Sequence, residues 1–229
     1  MKERPILFSA PMVRAILAGD KTQTRRIAKD VRHPDLGNVY APGALVLERE
    51  PQHVIDRACP YGRPGDRLWV RETWQYADWT EEGEPHIGYA ADGERILIEE
   101  YPEEWGKRLE EVWCELSAPK NYDIDNRAAD RRWRPNIHMP RWACRILLEI
   151  TGVRVERLQD ISEAGCWAEG IEEIDGSLDD LKIVEMAKRM GRCVDDVAPT
   201  FAALWESISG PGSWDANPWV WVIEFRRVK

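Results

Sequence analysis

Cysteine is sparse in this chain and falls into no pattern. The five residues Cys59, Cys114, Cys144, Cys166 and Cys193 are odd in number. No two share a C-x-x-C spacing, and no His/Cys cluster has the spacing of a zinc site. A metal centre is therefore not expected, and the chain reads as the product of a reducing, cytoplasmic compartment. Long apolar runs are also missing. No window approaches the roughly 20 residues that a membrane helix needs. The opening stretch from Met1 to Leu17 is interrupted by Pro5 and Pro11 and does not read as a signal peptide. Positive charge is in deficit: 32 Lys and Arg against 41 Asp and Glu leave a net charge of −9. That argues against a broad grip on duplex DNA, because non-specific affinity comes mainly from neutralising phosphates. Any nucleic-acid contact must be local. Repeats and low-complexity linkers are absent, and residues 1–229 read as one domain long enough to bury a sizeable core.

Tryptophan, by contrast, is abundant. There are 12, against 6 Tyr and 3 Phe. Such rings build cores, and they also make platforms on which bases stack. Charge is unevenly spread. Acidic runs stand at 81–84, 99–104 and 172–180. Between Arg127 and Arg145 there are six arginines and one acidic residue, Asp130. Two readings of that stretch stay open. It is a solvated face, or one paired with the acidic runs; or it is a phosphate-contacting strip in which Arg131, Arg132, Arg134 and Arg141 meet nucleic acid.

Ile6-Leu7-Phe8 reads as a short strand. Ser9-Ala10-Pro11 opens a helix, because proline at the first helical position forfeits no hydrogen bond. Met12, Val13, Ile16 and Leu17 follow at helical spacing, and Gly19 fits the stop. Residues 30–64 hold many Pro and Gly and read as loop, with a strand near Ala44–Leu47. Gly65-Asp66 turns into a strand over Leu68–Trp74. Ile87–Ala90 and Arg95–Ile98 flank Asp92-Gly93, a hairpin signal. The charged stretch 100–135 reads as an irregular insertion with one helix near Glu103–Val112. Ile146, Leu148 and Ile150 alternate, and Val153 and Val155 resume after Gly152, which predicts a strand over 145–156. Ser162 caps a helix over Glu163–Glu169 that Gly170 ends. Further helices are predicted over Leu178–Met190 and Thr200–Ile208, the latter with Phe201, Leu204, Trp205 and Ile208 on one face. Trp219–Phe225 closes the chain as a strong strand. Strands at both ends with short helices between them suit an α+β fold built on a mixed β-barrel.

Four motifs in order carry a resemblance. Gly19-Asp20-Lys21-Thr22-Gln23-Thr24-Arg25-Arg26 resembles the G-x-K-x-x-T-x-R signature of ASCH domains, and follows a short helix as it does there. Gly65-Asp66 with the strand after it resembles the family's G-D-x-L strand entry. The stretch Leu158–Ile171 is similar to the segment in which a short helix ends in Glu-Gly, here Glu169-Gly170. The closing Trp221–Phe225 resembles the family's last strand. The likeness covers the first 75 and the last 85 residues, and the overall arrangement is similar to longer ASCH proteins of phages and prophages. It implies a PUA-like (ASCH) mixed β-barrel flanked by short helices, with an insertion at about 75–135. The resemblance implies no metal or organic cofactor. It implies a modified nucleoside or RNA as partner, and no membrane.

Some ASCH proteins are amidohydrolases that deacetylate N4-acetylcytidine. By position, the resemblance places their machinery at Lys21, Thr24 and Glu169. The chemistry suits those residue types. A Thr hydroxyl needs a nearby base, and a Lys serves as base only with a lowered pKa. Burial lowers it, as does an adjacent cation such as Arg26. Lys21 and Thr24 lie on opposite faces of a regular strand, so a turn at the helix exit is needed to bring them together. Glu169 is suited to protonate the leaving amine or orient water. Arg26 is placed to hold a carbonyl or phosphate oxygen. Arg71, Glu72 and Trp69 are further substrate-binding candidates: Arg71 and Glu72 point to opposite faces of one strand, and either a buried ion pair or a ligand contact fits them. Trp69 and Trp74 also fit as core. A binding module for RNA or a modified base is the second functional reading. A ribonuclease using His138 beside the arginine strip is the third.

Overall fold

The computed structural model describes residues 1–77, 86–97, 133–172, 176 and 178–228. Most of the insertion lies outside them, with the helix expected over Glu103–Val112 and with Arg131 and Arg132. The chain is a mixed α+β protein. It divides into two compact units, one of Met1–Arg4, Pro11–Trp69 and Ile146–Lys229, the other of Pro5–Ala10 and Val70–Arg145.

The first unit is built on an antiparallel pair at the heart of a five-stranded sheet. In order along the chain, the strands of that sheet are β1 (Glu3–Leu7), β2 (Gln23–Ile27), β5 (Arg67–Arg71), β9 (Leu147–Arg157) and β10 (Trp219–Arg227). In space they run β1-β5-β9-β10-β2. The apolar run Val220–Ile223 is buried on both faces, as a central strand requires. Val220 and Val222 join the cluster formed by Phe201, Ala202, Trp205, Ile183, Met186 and Cys166 from three helices. Trp221 and Ile223 are buried on the other face. The β9–β10 register shifts between Glu224 and Phe225. A Cβ on Gly152 would stand 2.8 Å from a Glu224 carboxylate oxygen, so that side chain would have to move to admit one.

Helix α1 (Ala10–Ala18) ends where expected, with Gly19 at φ +95°. Helix α4 (Glu163–Ala168) is capped by Ser162, whose hydroxyl accepts from the Gly165 N–H at 3.1 Å. Helix α5 (Asp180–Met190) is capped by Asp179 and stopped by the left-handed Gly191. Helix α6 (Val197–Ser209) buries Phe201, Leu204 and Trp205, but Ile208 is 58% exposed, in the last turn.

Three expectations need correction. Ala44–Leu47 is not a strand but a one-turn helix, α2, entered through Gly43 at φ 84°. A Cβ there would stand 2.1 Å from the Trp219 ring, so the turn is set by packing that the apolar run Ala-Leu-Val-Leu does not reveal. Second, the stretch 30–64 is not only loop: it holds a two-stranded sheet of β3 (Val31–Arg32) and β4 (Val39–Tyr40) and a helix, α3 (Gln52–Ala58). Val54 and Ile55 are buried and carry α3. Third, the strand expected over Leu68–Trp74 breaks at Glu72-Thr73. Its second half, β6 (Trp74–Ala77), belongs to the second unit's sheet with β7 (His86–Tyr89) and β8 (Arg95–Leu97), in order β6-β7-β8. The β7–β8 hairpin turns about Asp92-Gly93, as its sequence predicts.

Candidate active site

The exit of α1 and the end of α4 are brought together backbone to backbone. The Lys21 N–H donates to Ala15 at 3.1 Å, and the Thr22 N–H donates to the Ala168 carbonyl at 2.9 Å. Lys21 and Glu169 form an isolated antiparallel bridge. Gly170 makes the approach possible. At φ +79°, a Cβ on it would stand 2.7 Å from Ala15 Cβ and 2.9 Å from Lys21 Cβ.

This places the two side chains in contact, with Lys21 2% and Glu169 4% exposed. Lys21 Nζ donates to Glu169 Oε2 at 2.7 Å and to the Glu169 carbonyl at 2.9 Å. The other carboxylate oxygen, Oε1, accepts from Arg25 Nη1 at 2.9 Å. Arg25 also donates to Glu156 Oε1, from Nε at 3.0 Å and from Nη2 at 2.6 Å. Glu156 Oε2 accepts from Arg154 Nε at 2.8 Å, and Arg154 also pairs with Glu224. Gln23 Nε2 donates to the Gly165 carbonyl at 2.6 Å. A chain of alternating charges thus runs from α4 through β2 and β9 to β10.

Burial pushes the Lys21 amine below its ordinary value. Glu169 opposes the shift, and the neighbouring Arg26 and Arg25 charges add to it. Both causes expected from the sequence, burial and the Arg26 charge, therefore act on Lys21. The Arg26 guanidinium is itself lowered, by burial first, with Tyr61 and Glu169 opposing. Burial pushes the Cys59 thiol up to about 11 and the Cys166 thiol to about 12, so neither is a thiolate nucleophile at neutral pH.

Lys21 and Glu169 are thus brought together directly, while Thr24 lies apart from them. It is buried on β2, opposite Ile223. Gln23 and Arg25 reach Gly165, Glu156 and Glu169 from one face of the strand, and alternation puts Thr24 and Arg26 on the other. Among the described residues no hydrogen bond joins Lys21 to Thr24. Trp69 is half-buried on β5. In the second unit, Arg71 Nε donates to the Met139 carbonyl at 3.1 Å and its Nη2 donates to Ile137. Glu72 is 2% exposed and accepts both arms of Arg145 at 2.9 Å, which is the ion pair the sequence left open. Trp74 is core, edge-on to Trp142 at 6.1 Å. Of the arginine strip, Arg134 lies over the Trp74 ring at 5.4 Å, Arg141 is exposed, and Arg145 is paired with Glu72, Asp92 and Glu94. These acids are not those of the runs first considered. His138 is exposed in a 3-10 turn.

Sequence reasoning missed Arg25, Glu156, Gln23 and Arg154. A signal was present: positions 21, 23 and 25 share one face of an extended chain, as do 154 and 156. Among the described residues no group of three His, Cys, Asp or Glu is placed to hold a metal ion, and no helix is long and apolar enough to cross a membrane. Comparison with family models, with curated proteins and with solved structures found no match.

Proposed function

We propose that the chain is an amidohydrolase of the ASCH type, acting in the cytoplasm on N4-acylated cytosine, as nucleoside or within a nucleic acid, from a PUA-like β-barrel. The observation that supports this most is the buried Lys21–Glu169 contact at 2.7 Å, with the lysine's pKa lowered. The four-motif resemblance stands beside it.

In the resting pair Lys21 is an ammonium and Glu169 a carboxylate. Transfer of one proton along their hydrogen bond yields a neutral amine and a carboxylic acid, which are the base and the acid that amide hydrolysis needs. The amine takes a proton from a water molecule as the water oxygen adds to the acyl carbon, and Thr24 positions that water. Arg26 steadies the oxyanion or the base. Glu169 gives its proton to N4 as the C–N bond breaks. The amine leaves with two hydrogens on N4, and the ammonium–carboxylate pair is restored.

The test is cytidine release from N4-acetylcytidine by the wild-type chain and by Lys21→Ala, Thr24→Ala and Glu169→Ala. We expect release by wild type and a loss of about 10²–10⁴-fold in the Lys21 and Glu169 variants. Absence of release from every N4-acylcytosine tried would refute the reading.

A reader of RNA or of a modified base is the second reading. Trp133 is 48% exposed, beside Arg134 and not far in sequence from the exposed Arg141, and this combination supports it. Salt separates the two. A backbone-gripping reader loses affinity steeply between about 50 and 200 mM salt, whereas a nucleoside pocket does not.

A further inference from the structure

Arg25 has no part in the chemistry above, yet it is buried and held at both ends of its guanidinium. Its side chain is 2% exposed, and three of its N–H donors are committed to two carboxylates from different elements. Its guanidinium carbon lies 5.8 Å from the centre of the Phe201 ring. A Cβ on Gly165 would stand 3.1 Å from Ile161 Cγ1 and 3.2 Å from the Arg25 Nη2, so α4 passes close to the guanidinium. Glu169 in consequence divides its oxygens, Oε2 to Lys21 and Oε1 to Arg25.

We propose that Arg25 is a positioning residue that sets where the proton shared by Lys21 and Glu169 rests. The hydrogen bond from Arg25 fixes Glu169 Oε1, which leaves Oε2 to face the Lys21 amine. Arg25 lies beside the pair with three N–H donors committed to Glu169 and Glu156. Its positive charge makes the Lys21 amine easier to deprotonate. Glu156 anchors the guanidinium so that both effects act from a fixed place. Among the described residues, the charged and titratable groups around the pair include Cys166 and Glu163 from α4, Arg25 and Arg26 from β2, Glu156 and Arg154 from β9, Glu224 from β10 and Arg192, with Tyr61 facing Arg26. Arg25 is the member of this set that touches Glu169 and carries a fixed charge.

The kinetic part of this inference rests on the hydrolase reading; the titration does not. The test is the pH profile of kcat/KM for wild type, Arg25→Gln, Arg25→Lys and Glu156→Gln, with ¹³C/¹⁵N NMR titration of the Lys21 side chain in the same proteins. Removing the Arg25 charge should move the alkaline limb, and the Lys21 titration, up by about one pH unit. Arg25→Lys should keep both within a few tenths of a unit. Glu156→Gln removes an anion, so it should shift both slightly downward, and it gives a reading even where Arg25→Gln does not fold. A merely structural role would lower the amplitude in all three variants and leave the limb in place. An unmoved Lys21 titration in Arg25→Gln and Glu156→Gln would overturn the proposal. If no variant or wild type turns over, the hydrolase reading fails while the NMR shift still decides the role of Arg25.

Discussion

Two buried clusters of opposite charge, one in each unit, look alike on a contact map and differ in what they can do. In the second unit Arg145 sits among Glu72, Asp92 and Glu94, with its guanidinium 4.1 Å from the centre of the Tyr89 ring. Burial works against its charge, but the carboxylates outweigh burial and its pKa is raised. Acids in excess surround a cation that never titrates, so the cluster is a clamp. In the first unit the arrangement is inverted. One carboxylate, Glu169, lies between two cations, and one of these is a lysine that burial pushes towards neutrality. A buried ion pair alone is weak evidence for a site. A buried pair whose proton is easily moved is stronger evidence, because perturbed titration is what acid–base chemistry requires.

The largest effect is expected where the comparison is most easily broken. Arg145→Met leaves Glu72 buried without its partner, and should cost about 3–5 kcal/mol in urea unfolding. Lys21→Met leaves Glu169 still bonded to Arg25, and should cost distinctly less. Equal losses would mean that the two clusters are the same kind of object. Next is Gly170→Ala, at the close approach of the two segments. A left-handed alanine pressed against Ala15 and Lys21 should lose about 2 kcal/mol and, by moving Glu169, reduce turnover. The smallest effect is a slope. The folded-state pKa of Lys21 is below its unfolded value of about 10.5, so the unfolded chain binds more protons in that window and stability rises with pH towards 10.5. The stability difference between wild type and Lys21→Met should therefore move in favour of wild type as pH is raised from 7 to 10. A flat difference would show that Lys21 is not desolvated.

Much of the fold is legible because local and tertiary signals agree. The α1 stop at Gly19, the Ser162 and Asp179 caps, the Asp92-Gly93 hairpin and the Trp219–Phe225 run each combine a backbone preference with a burial pattern. Legibility fails where one signal stands alone. Ala-Leu-Val-Leu at 44–47 is apolar without a period, so only Gly43 against Trp219 decides that it is a helix turn. The strand through Leu68–Trp74 is continuous in pattern, and it breaks because Glu72 turns to Arg145. The pairing of Lys21 with Glu169 came from the motif resemblance, since 148 residues separate them. Arg25 was hidden in the motif's variable position, and its partner Glu156 lies on another strand. The exposed Ile208 shows the limit of helical periodicity at a last turn.

The most direct measurement compares the two clusters in one assay. It is the initial rate of cytidine release from N4-acetylcytidine by wild type, Lys21→Ala and Asp92→Asn, at equal folded concentration. The account predicts a fall of at least about 10²-fold for Lys21→Ala and a rate close to wild type for Asp92→Asn. Release that survives in Lys21→Ala, or that falls equally in both, would contradict the assignment of the chemistry to the Lys21–Glu169 pair.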